Sequence, residues 1–268
     1  MKIHPTAVID PEAKIGPEVE IGPYSIVGPQ VLIDEKSVIG SHAVIEGDVE
    51  LGARNVIGHG AIIGTGPQDL SFDSKTRSGV RIGNDNCIRE YCTIHRGTVE
   101  GSATTLGDKN FLMAGAHVGH NCAIGSNVII ANNCLLGGYV EIGDSAFLGG
   151  GCVFHQFMRV GRLAITQGSS AFSMDIPPFV IGAERNHIFG LNVVGLKRAG
   201  FSAVERDEIK AAFKLIYQSG LNRTQALACA AERNWGSNAH DFFAFVEAAK
   251  KRGICAYRAS EGRAPPRS

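Results

Sequence analysis

Four of the chain's nine histidines fall between Ile94 and Gln156, in the runs TIHRGT, LMAGAHVGHNC and GGGCVFHQF. With a reference pKa near ~6.5, a neutral imidazole is able to take a proton from a hydroxyl or an amine. His120 stands out by its spacing. Eighteen residues on is Gly138 and eighteen further is Gln156, with Tyr139 and His155 one place to either side of that series. His120 is therefore the candidate base, against the plainer alternative of a polar corner residue. His4, His42, His59 and His240 lie outside the cluster and are read as solvated.

The elements that must position these residues follow from a six-residue beat. Large aliphatics recur from Ile3 through Ile63 in unbroken phase, often followed by Gly, with a small residue in the fifth slot. The beat stops at PQDLSFDSKTRSGVR (67–81), restarts at Ile82, passes a degenerate hexad at 100–105, and runs on to Val160 before decaying through Phe172. Such a period suits neither a helix nor an ordinary strand. It suits a triangular solenoid in which each hexad is one side and three make an 18-residue coil, with coils stacked at the ~4.8 Å strand spacing. The aliphatic fills the prism, and glycine or asparagine is expected to allow the corners. Roughly 27 hexads predict about nine coils of a left-handed parallel β-helix, over residues 1–185 with an insertion at about 67–81.

Two prolines in DIPPFV (175–180) end the coil. A short irregular passage leads to GLNVVGLKRAGFS, and Ser202-Ala-Val-Glu205 is a capping box opening a helix to about Ser219, with Gly220 as its stop. Further helices are expected near Thr224–Arg233 and Asn238–Lys251, giving a small helical domain over 186–258. Residues 259–268, ASEGRAPPRS, read as a disordered tail.

Composition narrows the class. Glycine, 34 of 268 residues, exceeds the usual ~7%. Lys plus Arg equals Asp plus Glu at 26 each, which argues against a nucleic-acid or membrane-surface protein held by bulk charge. No apolar run approaches the ~20 residues of a membrane span, and the start of the chain has no signal-peptide core, so a cytoplasmic protein without stable membrane insertion is expected. Cys92, Cys122, Cys134 and Cys152 all take the small fifth slot and read as buried hydrophobes rather than nucleophiles or ligands.

IREYCTIHRGT (88–98), AHVGHNC (116–122), HQF (155–157), DIPPFV (175–180) and GLNVVGLKRAGF (190–201), in that order on this repeat, resemble the UDP-N-acetylglucosamine 3-O-acyltransferases that begin lipid A synthesis. The resemblance runs over nearly the whole chain. It implies a homotrimer with sites between subunits, moving an acyl chain from acyl carrier protein to the 3-position of a UDP-sugar without a covalent acyl-enzyme. No cofactor is implied beyond the donor's own phosphopantetheine. His120 matches the family's general base, and Gly138 the position whose backbone N–H holds the oxyanion. Asp69, His117, Tyr139, His155 and Gln156 match substrate-binding positions, and Asn192 and Arg198 match positions that reach the nucleotide. Gly168 matches the position that limits acyl length.

Several positions depart from the family's usual pattern. Asn121 follows the base where Asp is common, Ser71 stands in place of Lys, Tyr139 of His, and Val194 and Ala199 of Glu and Arg. These bear on the acceptor, so N-acylation of a 2,3-diamino UDP-sugar is the alternative reaction. A non-catalytic β-helix scaffold or binding protein is the alternative class. His95, His117 and His120 invite comparison with the zinc site of γ-class carbonic anhydrases, but that family spaces its later ligands more widely, and no metal is expected. The acidic carrier protein calls for local basic groups, for which Lys197, Arg198, Lys214 and Lys250 to Arg252 are candidates.

Overall fold

The computed structural model describes residues 2–249 and 251–258. Short parallel strands, most of them two residues long, wind from Lys2 to Phe172 into a three-sided left-handed prism. A nine-stranded face runs from Val8–Ile9 to Ala171–Phe172, and an eight-stranded face from Lys14–Ile15 to Arg159–Val160. The third face begins at Lys2–Ile3 and is extended past the coil by Val180–Ala183, His187–Leu191 and Ala256–Tyr257 to twelve strands. In most of the two-residue strands of the coil the second residue is the hexad aliphatic, pointing into the prism, with Phe154, Thr166 and Phe172 in its place near the end. Ile33, Ile45, Leu51, Ile63, Ile94 and Leu112 are all at most 1% exposed. Burying each such side chain contributes about 1.5–3 kcal/mol, which is what makes the six-residue phase obligatory.

Two expectations are corrected in detail. Glycine or asparagine makes only some of the tight corners: Gly60, Gly115, Gly151, Asn121, Asn127 and Asn133 take positive φ at the fourth slot, but so do Lys36, Arg54, Tyr139 and Phe157. The glycine after each aliphatic serves a different need. A Cβ at Gly16, Gly22 or Gly40 would lie 2.8–2.9 Å from backbone of the next coil, so glycine is there because coils approach closely. The degenerate hexad at 100–105 is not a prism side in its own right. Thr93 pairs with His117, 24 residues on rather than 18, so the extra six residues form a second loop that ends as the strand Ala103–Leu106 begins. The first insertion is longer, with Ile62 pairing Thr93, and it closes at Gly79, where the next strand starts.

Beyond the coil, Val180–Ala183 and His187–Leu191 form an antiparallel hairpin, so the expected division at 185/186 falls in its turn. An additional short helix, α1 (Val193–Arg198), follows; then come α2 (Ala203–Tyr217), α3 (Arg223–Ala231) and α4 (Ser237–Glu247). The Ser202/Glu205 capping box is present at α2. α4 ends at Glu247, short of the expected Lys251. The chain then returns to the sheet, Ala256–Tyr257 pairing with His187–Ile188. The helices are tied to the coil by Asp175, whose carboxylate accepts from Arg159 Nη2 at 2.7 Å and from the Arg159 N–H at 2.8 Å. The proposed tail, 259–268, lies outside the described residues, as does Lys250.

Candidate active site

Both extra loops lie on one edge of the prism, where the chain crosses from the nine-stranded to the eight-stranded face. The corner carrying His120 is on that edge, one coil beyond the second loop. There Gln68, His95, His117, His120, Gly138, His155 and Gln156 line a cavity of ≈ 330 Å³. A larger groove, ≈ 500 Å³, runs between the eight-stranded face and α4. Its arginines, Arg159 and Arg162, are already paired with Asp175 and Asp241, so the histidine-lined cavity is the candidate.

The column of His120, Gly138 and Gln156 is present as three successive corners of this edge. A Cβ on Gly138 would fall 2.3 Å from Cε1 and 2.4 Å from Nε2 of His120. The imidazole thus rests on bare backbone, and any side chain at 138 would push it away. Among the described residues the Gly138 N–H has no hydrogen-bond acceptor.

Asn121 fixes the tautomer of His120. Its Oδ1 accepts from the Thr98 N–H at 2.9 Å, which identifies that atom as the oxygen of the amide. His120 Nδ1, 3.1 Å from the same Oδ1, must therefore be the donor. That leaves Nε2 with the free lone pair. Thr98 Oγ1 also donates to Asn121 Oδ1 (3.0 Å) and lies 3.0 Å from the Tyr139 hydroxyl, while Asn121 Nδ2 donates to Ser102 Oγ. The Tyr139 ring packs edge-on to His120, with centroids 5.3 Å apart, and stacks on Phe157. Tyr139 stands behind the base, its hydroxyl directed to the second loop.

His117 points outward from the nine-stranded face with Nδ1 2.8 Å from Thr93 Oγ1. Burial, with a smaller contribution from the neighbouring His95, depresses its pKa to about 4. It is accordingly a neutral hydrogen-bonding group at physiological pH. His155 is exposed on the rim, where Arg252 Nη1 donates to its Nδ1 at 2.5 Å and to the Gln156 carbonyl at 3.3 Å. Asp69 sits in the first loop, its Oδ1 accepting from Ser71 Oγ (2.7 Å) and Ser71 N–H (2.9 Å). These bonds, with a smaller effect of His120, hold its carboxyl below the usual range.

Five of the residues named from sequence do not line this cavity: Asp69 and Tyr139 are chain neighbours of lining residues, and the other three lie farther off. Gly168 lies on the edge between the twelve- and nine-stranded faces. Asn192 caps α1, accepting from the Gly195 N–H, and donates to the Leu163 carbonyl on the remaining edge. Arg198 is exposed in the last turn of α1. Within one chain the three stand on or near edges other than that of His120.

His95, Gln68 and Thr98 were not legible as site residues. With the 100–105 segment read as a hexad like the others, the 18-residue period places Met113 above His95. Once it is a loop, His95 lies one coil below Gly119, as the bond from the His95 N–H to the Val118 carbonyl shows. The signal available was the poverty of aliphatics in EGSATT.

A family model described as UDP N-acetylglucosamine O-acyltransferase, domain 2, matches residues 175–255, and a bacterial transferase hexapeptide model (six repeats) matches 103–138. The chain is 44% identical over 261 residues to an acyl-[acyl-carrier-protein]–UDP-N-acetylglucosamine O-acyltransferase of Paraburkholderia xenovorans, covering 94% of this chain and 98% of the relative. A protein of the same name from Synechocystis is 46% identical over 183 residues, a match that spans 68% of this chain and 66% of that relative. The solved UDP-N-acetylglucosamine acyltransferase of Campylobacter jejuni superposes with a TM-score of 0.90 at 38% identity, over 96% of this chain and all of that one.

Proposed function

The chain belongs to the acyl-[acyl-carrier-protein]–UDP-N-acetylglucosamine O-acyltransferase family, and from that premise we propose that it moves an acyl chain from acyl carrier protein to the 3-hydroxyl of UDP-N-acetylglucosamine, opening lipid A synthesis in the cytoplasm. The observation that carries the mechanism is the pose of His120, its ring laid on Gly138 with Nδ1 bound to Asn121 and Nε2 free. Nε2 takes the proton of the 3-hydroxyl as that oxygen attacks the thioester carbonyl. The Gly138 N–H donates a hydrogen bond to the developing oxyanion. Collapse expels the pantetheine thiolate, which takes from His120 the proton that came from the hydroxyl. No acyl-enzyme enters this scheme. Burial pushes the Cys92 thiol up to about 11 and Cys122 to about 12, so neither offers a thiolate.

Asp69, His117, Tyr139, His155 and Gln156 are assigned to substrate binding on the His120 edge. Asn192 and Arg198 reach the nucleotide, and Gly168 bounds the acyl groove, from a neighbouring subunit's edges. A homotrimer supplies that arrangement. Outward positions of the nine-stranded face include Val8, Ile26, Leu135 and Val153 beside Thr93 and His117, and those of the twelve-stranded face include Val56, Phe111, Ile129 and Phe147. The eight-stranded face instead presents Lys14, Glu50, Arg81, Glu141 and Arg159. Two apolar faces and one charged face suit a closed ring in which one face packs on the other.

Asn121 favours a second reading. An amide orients the imidazole but offers no charge to the imidazolium, and a 3-amino nucleophile asks less of the base than a hydroxyl. The test is one assay with hydroxyacyl carrier protein against UDP-N-acetylglucosamine and its 3-amino analogue. A base-labile ester supports the first reading, a stable amide the second.

A further inference from the structure

We propose that Arg96 is a positioning residue for the acceptor: it staples the 67–78 loop so that Gln68 and Asp69 are presented to the cavity. The proposal rests on the reading of this cavity as the place of acyl transfer.

The loop has little to hold it by itself. Residues 68–71 and 73–75 are exposed, Phe72 is only half-buried, and its own backbone bonds are local turns, Phe72 N–H to Asp69 and Thr76 N–H to Asp73. Its last two residues are bonded to the second loop, the Arg77 N–H to Glu100 Oε2, the Arg77 carbonyl to the Gly101 N–H and Ser78 Oγ to the Gly97 carbonyl, while its entry and its body are fixed from His95 and Arg96. At the entry, His95 Nδ1 donates to the Gly66 carbonyl at 2.6 Å, and the Arg96 N–H donates to Thr65. At the exit, Arg96 Nη1 donates to the Thr76 carbonyl at 2.6 Å and to Ser78 Oγ at 3.4 Å, and Nη2 to the Ser74 carbonyl at 3.2 Å. The guanidinium lies over the Phe72 ring, 4.9 Å from its centroid. One planar cation thus grips three residues of the returning segment and the half-buried ring of Phe72. Charge-assisted bonds are roughly twice as strong as neutral ones, and a lysine ammonium does not reproduce the fork or the stacking.

The consequence is selective. Gln68 and Asp69 ride on the stapled loop, whereas His120, Gly138, His155 and Gln156 are built on coil backbone whose register does not depend on it. Loosening the loop therefore disturbs what binds the acceptor and spares what binds the donor. A misplacement of ~1 Å can cost about 100-fold where orientation matters.

The test compares wild type with Arg96→Ala, Arg96→Lys, Asp69→Ala and the double variant Asp69→Ala/Arg96→Ala. Expected for Arg96→Ala is a KM for UDP-N-acetylglucosamine raised about tenfold or more, with the KM for acyl carrier protein within about twofold. Arg96→Lys recovers part of this. The double variant is no more than about twofold worse than Asp69→Ala, because the same interaction is lost once. An unchanged acceptor KM, an equal rise in both KM values, or full additivity with Asp69→Ala overturns the proposal. If Arg96→Ala does not fold, Arg96→Lys carries the same comparison. Hydrogen exchange of the 67–78 amides separates this proposal from the reading it rests on. A wild type that does not acylate UDP-sugars removes that reading, while exchange unchanged in Arg96→Lys removes the staple.

Discussion

At the scale of single residues, His120 owes its free Nε2 to the backbone N–H of Thr98, which donates to Asn121 Oδ1 and so obliges Nδ1 of the imidazole to donate as well. Spacing alone made the column of His120, Gly138 and Gln156 legible, because the 18-residue period is unbroken from Leu112 onward. The support behind the base was not legible, since Thr98 reaches it from an irregular loop. His117 gives a pH prediction. Its folded pKa of about 4 lies below the unfolded ~6.5, so the unfolded chain binds the proton first. Its contribution to stability is complete above about pH 6.5 and is lost progressively as pH falls toward 4. Thermal melts at pH 7 and pH 5 should show a smaller acid-induced drop in Tm for His117→Gln than for wild type; equal drops would contradict the assignment.

Secondary-structure elements were read with uneven success, for physical reasons. The hexads were legible because each demands one buried aliphatic, and α2 because its capping box is local. α1 was not, since its six residues owe their turn to Asn192, whose amide bridges Gly195 and Leu163 in another part of the fold. The helices hang on long-range polar contacts of the same kind. Asp175 is 6% exposed and holds Arg159, whose guanidinium also donates to the Phe245 carbonyl of α4 and lies over the Phe245 ring. Removing one partner of such a buried pair costs about 3–5 kcal/mol. Denaturant titration of Asp175→Ala should show a loss of that size. A loss under about 1 kcal/mol would mean the pair does not secure the junction.

For the whole molecule, the distribution of outward residues asks for company. The outward side chains of the nine- and twelve-stranded faces are largely aliphatic or aromatic, with Val56 46% and Leu135 42% exposed in the single chain. The assignment of Asn192, Arg198 and Gly168 to a neighbour's edges requires those faces to meet. Ile129→Glu, on the twelve-stranded face and away from the chain's own His120 edge, should shift sedimentation from trimer to monomer and abolish turnover. A monomeric variant with full activity would separate catalysis from assembly. The sequence did not show which faces meet, because a face becomes visible once coils are stacked.

The most direct measurement is turnover of hydroxyacyl carrier protein with UDP-N-acetylglucosamine by wild type and His120→Ala, alongside size and thermal melt of both. The account predicts a base-labile 3-O-acyl product from wild type. It predicts a loss of at least about 100-fold in kcat for His120→Ala, with assembly and Tm preserved. Full activity in a folded His120→Ala trimer would contradict it.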